Sequence, residues 1–260
     1  MRFLRQFVSI LPKPIKSLAL ELGNRVKQDV FGLPDAVSDF RKLSKILKPD
    51  MILDIGAHVG EFAASIRKTN PDIPLILFEP TPTSITALHK RFNGDNLVQI
   101  LPLAVSDKVG KEQFFLNNNE QTNSLLDNDL TNQKDFEDST KHCETISIDT
   151  TTLDVWWEAQ EKRLDAIIFI KADIQGAELK MIEGGAVCLR KSVAAIYTEV
   201  SIAPCYVNQG DLFSVHQRLT DLGFILFQVY RTRSNSEGRA LWADALWVKP
   251  FILEQLSKSK

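Results

Sequence analysis

Hydrophobic residues in this chain fall into short continuous runs, separated by stretches in which apolar positions recur every three to four residues. The runs MILDIG (51–56), PLILFEP (74–80), LVQILPLAVS (97–106), ETISID (144–149), AIIFIKAD (166–173), VAAIYTEV (193–200), FILFQVY (224–230) and ALWVKP (245–250) predict strands. Helices are predicted near 60–69, 82–93, 176–190 and 210–222, with a short one holding Trp156 and Trp157. Several strands are continuously apolar instead of alternating, as expected of a parallel sheet covered by helices on both faces. The class is therefore α/β, doubly wound. The last two strands follow each other with no helix between them, which predicts a terminal antiparallel hairpin.

The chain has 260 residues, a size that fits one domain with additions. Residues 1–45 read as an N-terminal helical extension and 46–260 as the main domain, with a loop insertion near 112–143 centred on the polar stretch 117–140. A composition of 44% hydrophobic and 25% charged residues with a formal charge of -2 is globular and gives no support to a nucleic-acid partner. Cys143, Cys188 and Cys205 lack metal or disulfide spacing, which points to a reducing, cytoplasmic compartment. No apolar run is long enough to span a membrane. Near the start, Phe3, Phe7, Ile10 and Leu11 share one helix face beside Arg2 and Arg5. Two readings stay open there: a helix packed on the domain or over its active site, and a weak peripheral membrane contact.

In a doubly wound sheet the ligand sits beyond the carboxyl ends of the strands, where strand one turns into helix one. Asp54, Gly56 and Gly60 fall in that turn. A dinucleotide fingerprint would need glycines at 56, 58 and 61, but His58 and Glu61 break it, and Glu61 puts a negative charge where a pyrophosphate would bind. S-adenosylmethionine fits better. Asp54 can meet its ammonium, the glycines admit its amino acid end, and Glu79, at the end of strand two, can accept both ribose hydroxyls.

The ordered set DIGAHVG (54–60), FEP (78–80), AVSD (104–107), TTLD (151–154) and KADIQGAELKMIEGG (171–185) resembles the FkbM-type methyltransferases. The resemblance covers about residues 50–250 and is most specific in the last motif. It implies a seven-stranded, Rossmann-like class I methyltransferase sheet, S-adenosylmethionine as cofactor with S-adenosylhomocysteine as product, and O-methylation of a hydroxyl on a sugar, glycan or natural-product intermediate. Carried onto this chain, it implies cofactor contacts at Asp54, Gly56, Ala57, His58, Gly60, Glu79, Pro80, Ser106, Asp107, Ser124 and Asp173. His58 departs from the pattern, which has Asn there.

Methyl transfer to a hydroxyl asks the protein to orient the acceptor and remove its proton. Asp173, at the end of AIIFIKAD, is the expected general base, and Glu178 and Glu199 are further catalytic candidates. Asp173 as a helix cap, with Glu178 in that helix's first turn, is the structural alternative. Three carboxylates could also take a divalent metal, although no metal ligand is assigned. Trp156 and Trp157 read as helix packing with one ring exposed, and Arg231, Arg233 and Arg239 as a solvated hairpin loop. The rival functions are a catalytically silent methyltransferase-like binding module and an NAD-dependent oxidoreductase.

Overall fold

The computed structural model describes residues 35–129, 141–160, 166–230 and 232–258. The amphipathic segment at Phe3 to Leu11 and Arg231 lie outside the described residues. Among the described residues helix α1 (Ala36–Leu47) comes first, capped by the Asp35 carboxylate, which accepts from Ser38 N–H at 2.8 Å. There follow β1 (Met51–Ile55), α2 (Glu61–Arg67), β2 (Leu75–Phe78), α3 (Pro82–Arg91), β3 (Val98–Leu101), β4 (Ala104–Val105) and β5 (Gly110–Asn117). A 3₁₀ turn at Glu120–Thr122 precedes β6 (His142–Thr151), α4 (Leu153–Glu158), β7 (Ile168–Ala172), α5 (Glu178–Glu183) and α6 (Ala186–Lys191). The chain ends with β8 (Val193–Ser201), α7 (Leu212–Asp221), β9 (Ile225–Val229), β10 (Arg233–Ser234), β11 (Ala240–Val248) and α8 (Pro250–Lys258).

The main sheet runs β10-β11-β8-β7-β1-β2-β3, with β9 also paired to β11. Strands β3, β2, β1, β7 and β8 are mutually parallel, and β11 runs antiparallel between β8 and the β9 and β10 edge. Because β9 and β10 pair with successive parts of β11, they share the outermost position, so eight strand segments occupy seven places. The expected mostly parallel sheet with a terminal antiparallel hairpin is therefore present.

The continuous apolar runs follow from burial on both faces. Met51, Leu53 and Ile55 face a core with Trp156, Met181, Leu219 and Trp247. Ile52 faces the opposite core with Phe40, Leu43, Ile66, Leu88 and Ile252. Phe40, fully buried, meets the Phe62 and Phe169 rings edge-on, each at 5.5 Å between centroids, and so holds α1 to the sheet.

Four expectations about single elements change. LVQILPLAVS is not one strand: the chain leaves the main sheet after Leu101, and β4 joins a second sheet, β4-β6-β5. The window expected as an insertion opens inside β5, which pairs along β6. Neither tryptophan is exposed. Trp156 packs edge-on against Phe78 at 5.7 Å, and Trp157 Nε1 donates to Ser192 Oγ at 3.0 Å. The helix expected near 176–190 breaks into α5 and α6 at Gly184 and Gly185, and a Cβ on Gly184 would stand 2.2 Å from the Ser106 carbonyl oxygen.

Register sets up the site. Ile55 lies opposite Phe78 on one side and Ala172 on the other, so β1, β2 and β7 end level. The residues that follow, Gly56, Glu79 and Asp173, emerge together at one edge.

Candidate active site

A cavity of about 660 Å³ opens at that edge. Gly56, Ala57, His58, Glu79 and Pro80 line one half, and Asp173, Glu178 and Glu199 line the other. Among the expected site residues, Asp54, Gly60, Ser106, Asp107 and Ser124 do not face it.

The first turn is built around a close approach. Gly56 has φ +74°, and a Cβ there would fall 2.0 Å from the Asp173 carbonyl oxygen. Only glycine lets the loops after β1 and β7 touch. Gly60 caps α2 and lies beneath Leu88 and Phe92 of the α3 end, a packing position. Glu79 is 5% exposed and braces the turn: Oε2 accepts from His58 N–H at 2.8 Å and Oε1 from Thr81 N–H at 2.9 Å. His58 Nε2 lies 3.9 Å from Glu120 Oε2.

Asp54 does not line the cavity. Its carboxylate is buried, with Oδ1 3.1 Å from Lys171 Nζ, the residue directly across the sheet on β7. Lys171 does line the cavity, and its ammonium also donates to the Gly56 carbonyl at 3.0 Å and lies 3.9 Å from Asp173 Oδ2. Burial works against the charge, but the carboxylates of Asp54 and Asp173 outweigh it and hold the Lys171 ammonium above the usual lysine range. Sequence reasoning missed this residue. The available signal was a lysine inside a continuous apolar strand, which must have a carboxylate partner when buried.

The three acidic candidates differ in environment. Asp173 has a side chain 43% exposed, and its Oδ1 accepts from Gln175 Nε2 at 2.7 Å. Glu178 is buried, and its carboxylate accepts from the N–H groups of Ile174 and Gly176, both at 3.4 Å, and from its own backbone N–H. Burial, aided by the Asp173 charge, pushes it up to about 7. Burial and then the charges of Asp173 and Glu178 push Glu199 up to about 9. Among the described residues no group of three or more His, Cys, Asp or Glu side chains could hold a metal ion.

Tyr197, Tyr206 and Trp242 give this half of the cavity aromatic surface. Tyr206 Oη donates to the Thr122 carbonyl at 2.9 Å and lies 3.2 Å from Gln175 Oε1. Tyr197 Oη donates to Asp244 Oδ1 at 3.1 Å. Cys205 also faces the cavity, and burial pushes its thiol up to about 12, which keeps it protonated.

The expected residues that miss the cavity hold its walls. Ser106 Oγ is shared between Asp107 and Glu112, and Lys180 Nζ reaches the same two carboxylates at 3.1 and 2.9 Å. Burial raises both acids, but the hydrogen bonds from Ser106 and Lys180 outweigh it and keep both below their ordinary range. Ser124 Oγ donates to the Gln175 carbonyl at 2.7 Å and accepts from Leu126 N–H at 2.9 Å. It thereby ties the strap 119–125, much of which lines the cavity, to the loop after β7. Elsewhere, Arg233 and Arg239 do not line the cavity, and His216 Nδ1 accepts from Trp247 Nε1 at 3.3 Å.

The family profile described as Methyltransferase FkbM domain matches residues 54–226. Among curated proteins, the 2-O-methyltransferase NoeI of Sinorhizobium fredii is 28% identical over 210 residues, covering 77% of this chain and 85% of that protein. Similar solved structures include a 1,6-didemethyltoxoflavin-N1-methyltransferase of Burkholderia thailandensis with bound S-adenosylhomocysteine, at TM-score 0.45 and 11% identity over 92% of this chain and 91% of that one. The magnesium protoporphyrin IX methyltransferase of Synechocystis PCC 6803 with bound S-adenosylmethionine is similar at TM-score 0.44 and 8% identity, over 82% and 77% respectively.

Proposed function

We propose that this chain, which belongs to the FkbM methyltransferase family, transfers the methyl group of S-adenosylmethionine to a hydroxyl oxygen of a sugar, glycan or natural-product intermediate. The observation that carries this reading is the single cavity joining the Gly56 turn and Glu79 to the solvent-facing carboxylate of Asp173. Oxygen as the methylated atom, and a sugar as its bearer, draw support from the 28% identity to a 2-O-methyltransferase.

The residues suit that cofactor. Glu79 retains unused lone pairs after accepting from His58 and Thr81, enough for a ribose diol. Phe78, Leu103 and Val105 offer apolar surface beside it for an adenine. The Gly56 to His58 backbone is left for the amino acid end, with the His58 ring as the candidate donor to its carboxylate. Asp54 would act there through Lys171, and Ser106, Asp107 and Ser124 by holding the loops that frame the pocket.

When bound, S-adenosylmethionine supplies an electrophilic methyl on a sulfonium. The chain's own task is then acid-base and positional. Asp173 takes the acceptor's hydroxyl proton. Glu199, protonated at neutral pH, donates a hydrogen bond to a second acceptor oxygen, and the Tyr206 and Trp242 rings offer apolar faces to the acceptor. Glu178 holds the Ile174 to Gly176 loop. We keep residues 1–45 as an extension, with α1, which runs across that boundary, packed into the methyltransferase domain.

No helix among the described residues is long and apolar enough to cross a membrane. The free thiols of Cys143, Cys188 and Cys205 favour the cytoplasm.

Transfer of labelled methyl from S-adenosylmethionine to a panel of hydroxylated sugars, with the product's methyl located by NMR, tests the reaction. Asp173→Asn should lower kcat by roughly 10²- to 10⁴-fold and leave S-adenosylhomocysteine affinity within a few-fold. Wild-type kcat in that variant would remove Asp173 as the base, and methyl found on nitrogen would remove the oxygen assignment.

A further inference from the structure

Lys171 does more than neutralise Asp54. A buried ammonium is held by the charges and acceptors packed around it. The first is Asp54, an ion pair with Oδ1 at 3.1 Å. The second is the Gly56 carbonyl at 3.0 Å, in the peptide whose Cα abuts the Asp173 backbone. The third is Asp173 Oδ2 at 3.9 Å, within ion-pair reach but beyond a hydrogen bond. A countercharge for Asp54 alone would need neither of the last two.

The other oxygen of Asp173 is held independently, by Gln175 Nε2 at 2.7 Å. Gln175 is a non-glycine residue at φ +51°, and its amide oxygen in turn lies 3.2 Å from Tyr206 Oη. Asp173 is thus constrained from both sides: by Gln175 on the strap side, and by an ammonium beneath it that also grips the first turn. Rigid support of this kind sets the aim of a reacting group, and misplacement by about 1 Å can cost about 100-fold in rate.

We propose that Lys171 is a positioning residue that couples the two halves of the cavity, fixing the Gly56 turn for the cofactor and the Asp173 carboxylate for the acceptor with one ammonium. This rests on the methyltransferase reading for its rate effect, but not for its effect on the turn. A merely electrostatic role predicts that Lys171 and Asp54 can be removed together without loss, since a buried ion pair is often replaced by neutral side chains at no net cost.

Four proteins decide it: wild type, Lys171→Met, Asp54→Asn and the double variant. Each is measured for Tm, for S-adenosylhomocysteine affinity by calorimetry, and for kcat and acceptor KM. Lys171→Met should lower Tm, and the double variant should recover most of that loss. In the recovered double variant, S-adenosylhomocysteine should still bind ~10-fold more weakly and kcat should stay down by ~100-fold, as expected when support for a reacting group is removed. Recovery of both affinity and kcat with Tm would reduce Lys171 to a countercharge and overturn the proposal.

Lys171→Arg covers the case in which the double variant does not fold. It keeps the charge beside Asp54, but its planar fork cannot reproduce the three-way contact. It should therefore hold Tm while losing ~10-fold in kcat, and unchanged affinity and kcat would refute the proposal. If wild type binds S-adenosylhomocysteine but methylates no acceptor, the functional reading fails, and the affinity arm alone still decides the role of Lys171 at the turn.

Discussion

Replacing Glu178 with Gln should make the protein more stable at pH 8 and change it little at pH 4. The carboxyl is only 5% exposed, and the N–H groups it accepts from, those of Ile174 and Gly176 at 3.4 Å and its own, do not offset the burial. Burial, helped by the charge of Asp173, pushes it up to about 7 from an ordinary 4.5. At about 1.4 kcal/mol for each tenfold change in proton affinity, that gap amounts to roughly 3 kcal/mol. The folded value is raised, so the stabilisation is complete below 4.5, is lost as pH rises from 4.5 through about 7, and stays lost above that. Gln carries no charge to bury, and its amide oxygen can still accept from the same N–H groups. In a domain of this size 1 kcal/mol corresponds to roughly 2–4 °C, so the variant's Tm advantage should grow by about 6–12 °C between pH 4 and pH 8. Thermal unfolding of both proteins across that range, in one buffer series at constant ionic strength, gives the difference directly. A Tm difference that stays flat with pH would mean that Glu178 is not a buried, titrating acid and would refute the reasoning.

Two further outcomes follow from the cavity. Glu79→Ala removes the acceptor of both the His58 and Thr81 N–H groups together with the candidate ribose ligand, so calorimetry should show S-adenosylhomocysteine affinity reduced by about 100-fold; a loss below about threefold would contradict the role given to Glu79. Glu199 is a hydrogen-bond donor only while protonated, so wild-type kcat should fall as pH rises through about 9, whereas Glu199→Gln should stay within a few-fold of wild type at neutral pH and lack that limb. A pH–rate profile that keeps the limb in the Gln variant would assign it to another group.

Much of the architecture was legible because it rests on short-range pattern. The runs at 51–56, 74–80, 166–173 and 193–200 are continuous since both faces of β1, β2, β7 and β8 are covered, and the hairpin showed in the missing helix before ALWVKP. LVQILPLAVS misled because hydrophobicity does not say which partner a strand pairs with: Leu101 ends in one sheet and Ala104 begins in another. Strand β5 was hidden by its polarity, since Phe114 and Asn117 are its only buried residues. The convergence of the Gly56 turn, Glu79 and Asp173 on one cavity was readable from motif and position. Asp54, expected to meet the cofactor, does not line the cavity, and its pairing with Lys171 is set by the register of β1 against β7, which neither segment carries alone.

The sequence by itself determined the doubly wound class, the order of its principal elements and the edge at which Gly56, Glu79 and Asp173 converge, because hydrophobic period and turn glycines act over a handful of residues. Only the tertiary structure decided which acid reaches solvent, which is buried and protonated, and which is tied to a lysine. Burial and ion pairing belong to neighbours in space, and the contact that joins the two halves of this cavity links Lys171 to Gly56 across 115 positions of the chain.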